Sequence, residues 1–107
     1  MDAAKLDRSV TVRRKTVTNG PLGATESWRT LCTVWAGRRD VSDGEKAAAG
    51  TVMSTLVTRF TVRSSDATRS IRPADTITEG RLTFDVLGIK ELGRRDYLEI
   101  TAQARLD

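Results

Sequence analysis

"YLEITAQARL" (97–106) decides the fold. Leu98, Ile100, Ala102, Ala104 and Leu106 alternate without a break against Glu99, Thr101, Gln103 and Arg105. A period of two puts the first set on one face and the second on the other, as in a strand with one buried side. Moving back along the chain, "KELGRRD" (90–96) reads as a hairpin loop. Before it, Arg81 to Ile89 places Leu82, Phe84 and Val86 on one face. The same pattern returns from Ser54 to Arg63, with Leu56, Thr58, Phe60 and Val62 inward and Arg59, Thr61 and Arg63 outward.

The segments between and before these agree. "SSDATRSIRPAD" (64–75) is polar and carries Pro73, which suits a loop with at most a short edge strand. Thr76 to Thr78 pairs briefly before Glu79-Gly80 turns the chain. A strand is expected from Arg8 to Thr16, with Val10 and Val12 on one side, and "TNGPLG" (18–23) ends it with turn residues. Glu26 to Arg39 forms the next strand. Its apolar residues fall on both faces, Trp28, Cys32, Val34 and Ala36 against Leu31 and Trp35, so it is expected to be covered on two sides. For the two tryptophans the expectation is one in the core and one at a subunit interface.

Val, Ile and Thr make up 28 of the 107 residues, a β-branched weight that favours strands. Five main strands at short spacing therefore predict a mainly β, small antiparallel barrel as one domain over 1–107, with one short helix. That helix belongs to "WAGRRDVSDGEKAAAG" (35–50), in the loop between the second and third main strands. Ser42 and Glu45 have capping-box spacing, Lys46 to Ala49 are helix formers, and Gly50 is a stop. The helix is too short to stand alone, so its face of Ala47, Ala48 and Met53 must rest on something.

Composition narrows the function. The chain has no histidine, which removes imidazole bases, the usual catalytic triads and nearly every zinc site. The carboxylates Asp40, Asp43 and Glu45 cluster at a helix start, where acids are expected in any case. No catalytic residue, metal site or cofactor is therefore expected. The lone Cys32 lies in an apolar run and reads as a small buried hydrophobe. No run approaches the roughly 18 apolar residues of a membrane span and the opening does not read as a signal peptide, so the intracellular side is the default expectation. The net charge of +4 is enough to attract an anionic partner but falls short of a polybasic tail.

The ordered series of pieces resembles a known family. "KLDRSVTV" (5–12), "GATESW" (23–28), "TVWAGRRDVSDGE" (33–45), "TRFTVR" (58–63), "EGRLTFDVLGI" (79–89) and "GRRDYLEITAQA" (93–104) are similar, in this order, to the phage head–tail joining proteins. These are also called head-closure or stopper proteins, and occur in tailed phages and gene-transfer particles. Ala4, Phe84 and "SIRPADTITEG" depart from the family's habit and bear only on local detail. The resemblance implies a structural subunit of the virion neck, made in the host cytoplasm. It would form a homo-oligomeric ring, a hexamer first and a dodecamer as the alternative. The ring would sit between the portal and adaptor on the head side and the tail terminator and tail proteins on the other. It would close the exit channel around DNA contacted without sequence specificity.

On this resemblance the plug or docking loop comprises Arg38, Arg39, Asp40, Ser42, Asp43, Glu45 and Lys46, with Trp28 and Trp35 at subunit interfaces. Two alternatives stay open. One is an OB-like barrel that binds single-stranded nucleic acid through Arg59, Phe60 and Arg63. The other is a different ring of the same neck, such as the tail terminator.

Overall fold

A computed structural model describes residues 5–48, 50 and 55–105. Six strands run in the order β1 (Arg8–Gly20), β2 (Gly23–Asp40), β3 (Thr55–Arg63), β4 (Thr76–Glu79), β5 (Leu82–Leu92) and β6 (Tyr97–Arg105). Helix α1 (Asp43–Ala48) lies between β2 and β3, and α2 (Asp66–Arg69) between β3 and β4. All strand pairs are antiparallel, and the ring β1-β2-β3-β6-β5-β4 closes where Thr11 to Arg13 of β1 pair with Thr76 to Thr78 of β4. Among the described residues, closure gives every strand of the barrel a neighbour on both sides.

The core follows the predicted alternation. Val10, Val12, Ala36, Phe60, Val62, Ile77, Phe84, Leu98, Ile100 and Ala102 point inward and are buried. Phe60 and Phe84 meet edge to face at its centre, ring centroids 5.1 Å apart. Thr58 is fully buried as expected, and its hydroxyl donates to Asp40 Oδ1 at 2.8 Å.

Several expectations change. β1 and β2 run on well past the barrel, to a turn at Pro21-Leu22 where Gly23 takes a φ of 108°. They form a two-stranded arm that contributes to a long molecule, 49 × 33 × 24 Å. Thr61, expected outside, is buried beside the crossing of Lys5 and Leu6 over its pairing partner Gly37. A Cβ on Gly37 would lie 3.1 Å from the Lys5 carbonyl oxygen, a tight approach that the Lys5–Leu6 segment could admit only by moving a few tenths of an ångström. The polar stretch 64–75 holds α2, which is fixed by a capping box. Thr68 N–H donates to Ser65 Oγ at 3.1 Å, and Ser65 N–H donates to Thr68 Oγ1 at 2.8 Å. The last hairpin loop is shorter than expected, because β5 continues to Leu92 and only Gly93 to Asp96 turn. Met53, Ser54 and Leu106, which entered the expectations above, lie outside the described residues.

Candidate assembly surfaces

A bulge determines where the tryptophans go. Val12 pairs with Cys32 but Arg13 pairs with Thr30, so Leu31 is an extra residue in β2. The insertion reverses the in–out parity of every position before it in β2. Cys32, Val34 and Ala36 therefore face the core while Trp28 joins Trp35 on the outer face, 43% and 62% exposed. Neither tryptophan is core, which corrects the expectation of one inside and one outside. Strand alternation alone cannot show this, because the extra residue carries no turn signal.

Trp28 lies beside Arg13, Thr76, Thr78 and Thr83, against the threonine-rich outer surface of β4 and β5. Trp35 borders a separate groove of about 370 Å³ with Leu6, Val34, Arg63 and Ser65. The arm presents further apolar side chains: Val17 is 52% exposed and Leu22, at its tip, is completely so. Cys32 is half-buried, and burial pushes its thiol pKa up, away from the reactive thiolate.

The seven residues expected in one loop divide between two settings. Arg38, Arg39 and Asp40 belong to β2 and pair with Phe60, Arg59 and Thr58, so the connection to β3 starts only after Asp40. Arg38 follows Ala36 on the inward face and caps one end of the barrel. Its guanidinium stands 5.6 Å from the centre of the Phe84 ring and donates to Asp40 at 3.0 Å and Glu79 at 2.7 Å. Partial burial pushes the Asp40 carboxyl up, but hydrogen bonds from Arg38 and Thr58 outweigh this and leave it below the ordinary aspartate range.

Ser42 caps α1, its Oγ accepting from Glu45 N–H at 3.2 Å. The Glu45 carboxylate faces Arg39 at 3.9 Å and Arg59 at 3.5 Å, tying α1 to the outer face of β2 and β3. Asp43 and Lys46 lie in α1. Lys5, Arg38, Arg39 and Arg59 with Gly37, Thr61, Leu92 and Glu99 line a cleft of about 390 Å³ on this side, predominantly basic.

The Arg59–Phe60–Arg63 trio does not form a stacking platform. Phe60 has no exposed surface, so no base can reach its ring, while Arg63 stands 5.9 Å from the Tyr97 ring centre. Phe60 alternates inward between two outward arginines because the strand's period of two requires it. This corrects the nucleic-acid reading of that strand.

The structure thus combines a closed barrel, a cleft lined mainly by basic residues and an exposed apolar arm. The model of the phage head completion protein family matches residues 1–105, and the chain belongs to that family, whose members are structural proteins of the phage particle. No curated protein sequence matches the chain. Among solved structures it is similar to protein SF1141 from Shigella flexneri 2a, at 22% identity and a TM-score of 0.73, over 97% of this chain and 96% of that one. It is also similar to a chain in the virion of a native gene transfer agent particle, at 23% identity and a TM-score of 0.70, over 92% and 94%. At these identities both likenesses describe the fold.

Proposed function

We propose that the protein is a ring subunit of the particle's neck that closes the DNA exit channel after packaging and offers a surface to the tail. The observation that carries this reading is the division of the outer surface. The β2–β3 side is basic, with Arg39, Arg59 and Lys5 exposed or half-exposed around a cleft, and the arm carries exposed Trp28, Val17 and Leu22. A subunit between a DNA channel and its neighbours needs both kinds of surface: cations for phosphates in any sequence, and apolar area for protein contacts. Membership in the head completion family and the fold shared with a gene transfer agent virion chain support the same role.

Within this reading the segment from Val41 to Gly50, with Ser42, Asp43, Glu45 and Lys46, is the plug or docking element. Arg38 and Asp40 pair at the end of β2 from which the segment leaves, and Arg39 meets Glu45 of the segment on the outer face. The neighbours are the portal and adaptor on one side and tail proteins on the other. Deleting residues 41–53 tests the assignment. The barrel is expected to keep its β circular dichroism, while the particles lose DNA or fail to join tails. A deletion that unfolds the barrel, or leaves sealed and tailed particles, contradicts it.

A further inference from the structure

Arg39 on β2 and Arg59 on β3 are register partners, so two guanidiniums leave the barrel's outer face opposite each other. Like charges placed so repel unless an anion lies between them. Here the anion is Glu45 of α1, whose one carboxylate spans Arg39 at 3.9 Å and Arg59 at 3.5 Å. Both contacts exceed the roughly 2.8 Å of a strong charge-assisted bond, and all three side chains are a third or more exposed, so the bridge is loose and screened. Lys5 lines the cleft beside them. The cleft's other charges are taken up elsewhere, Arg38 by Asp40 and Glu79, and Glu99 by Lys90 at 3.7 Å. Among the described residues this leaves three cations, Lys5, Arg39 and Arg59, against the one carboxylate of Glu45, an excess of two positive charges. Ala47 and Ala48 of α1 are exposed, and the chain is fixed just before the helix by the Val41 N–H, which donates to the Val57 carbonyl at 2.8 Å.

We propose that Arg39, Arg59 and Lys5 form a site for a backbone phosphate of duplex DNA, and that Glu45 fills it as an internal stand-in until DNA displaces it. A phosphodiester carries the same single negative charge as the carboxylate, and the next phosphate along the duplex is available to Lys5. Two groups that compete for the same guanidiniums are linked, so DNA binding loosens α1 and a held α1 weakens DNA binding to the same degree. Release of Glu45 leaves the Val41–Val57 bond and the β2–β3 pairing in place, so only the segment beyond Val41 gains freedom. The inference rests on the neck reading above and names the groups that meet the DNA.

The site is tested by binding of a fluorescent, mixed-sequence DNA duplex to the full chain at low salt. Glu45→Gln is expected to bind at least about threefold tighter, whereas Glu26→Gln on the arm, which changes the net charge equally, stays close to wild type. Arg59→Gln is expected to bind about threefold weaker, with a salt slope lower by about one. Adding duplex to the wild type is expected to quicken amide exchange over residues 42–48 and to leave that of β6 unchanged. Equal tightening by Glu45→Gln and Glu26→Gln would reduce the effect to net charge and overturn the site. So would an absence of duplex binding, or α1 amides as protected with DNA bound as without. Any of these leaves the neck reading standing if the chain still assembles on a portal–adaptor complex. A chain that binds duplex as expected yet never assembles overturns the neck reading alone.

Discussion

Arg14 grips Asp75 with both arms of its guanidinium, Nε to Oδ1 and Nη2 to Oδ2, each at 2.9 Å. The same Nη2 donates to the Ser70 carbonyl at 2.7 Å, and Asp75 Oδ2 accepts from the Arg72 N–H at 2.8 Å. Arg14 continues the inward series Val10 and Val12 on β1, and Asp75 precedes the inward Ile77 on β4. The barrel is thus closed at this end by an arginine–aspartate pair, as Arg38 with Asp40 and Glu79 closes the other. The pair also anchors the arm's base to the loop before β4.

Removing one partner leaves the other charged and poorly solvated. Asp75→Ala is expected to cost about 3 kcal/mol or more in urea unfolding, and the double variant with Arg14→Met less than the sum of the two singles. Additive losses would show that the pair is not coupled.

The pair also sets a pH dependence. Burial pushes the Asp75 carboxyl up, but the Arg14 and Arg72 hydrogen bonds hold it below the ordinary aspartate value. The native state therefore keeps this carboxylate ionised at pH values where the unfolded chain binds a proton. Its stabilisation is complete above about pH 3.9 and is lost as pH falls through the lower native value. Asp40 adds in the same direction. Asp75→Asn is expected to be less stable at neutral pH and to lose less on acidification. A wild-type acid slope retained in the variant would contradict this.

Phe60 and Phe84 carry the centre of the core. Phe60→Ala is expected to lose about 3–5 kcal/mol, and Phe60→Leu distinctly less, by denaturant midpoint. A fall in oligonucleotide binding by a folded Phe60→Leu variant would restore the nucleic-acid role that its burial removes.

Gly37→Ala brings a methyl group against the Lys5 carbonyl oxygen. An overpacking cost of about 1 kcal/mol is expected, with NMR shift changes concentrated at Lys5 and Leu6. Unchanged shifts there would mean that the opening segment does not cross β2 in solution.

Glu45→Gln weakens the tie between α1 and the two arginines. Because the pairs are half-exposed, global stability is expected to fall by less than about 1 kcal/mol. Amide exchange over residues 42–48 is expected to quicken while β6 stays protected, since among the described residues the Glu45 pairs are the ion pairs that tie α1 to the barrel. Equal protection in variant and wild type would show that α1 is held by packing instead.

Alternation made the barrel legible wherever one strand face is wet and the other dry. The inward residues of β6, β5 and β3 were readable for that reason. The parity reversal at Leu31 was not, because a bulge depends on strand pairing that no local pattern records. The paired ends of the barrel were hidden for a related cause. Arg14, Arg38, Asp75 and Glu79 look like outward charges in sequence, and only closure of β1 on β4 brings them together over the core. α2 was present in the sequence as Ser65 and Thr68 at capping-box spacing, outweighed by the polar run around it. The cleft on β2 and β3 depended on Lys5 and Leu6 folding back, which Gly37 could have suggested only once its neighbours were known.

Native mass spectrometry of the protein at rising concentration, alone and mixed with a portal–adaptor complex, tests the central claim most directly. The account predicts a closed ring of defined copy number that is favoured by, or forms upon, the adaptor. A chain that stays monomeric throughout and shows no affinity for that complex would contradict it.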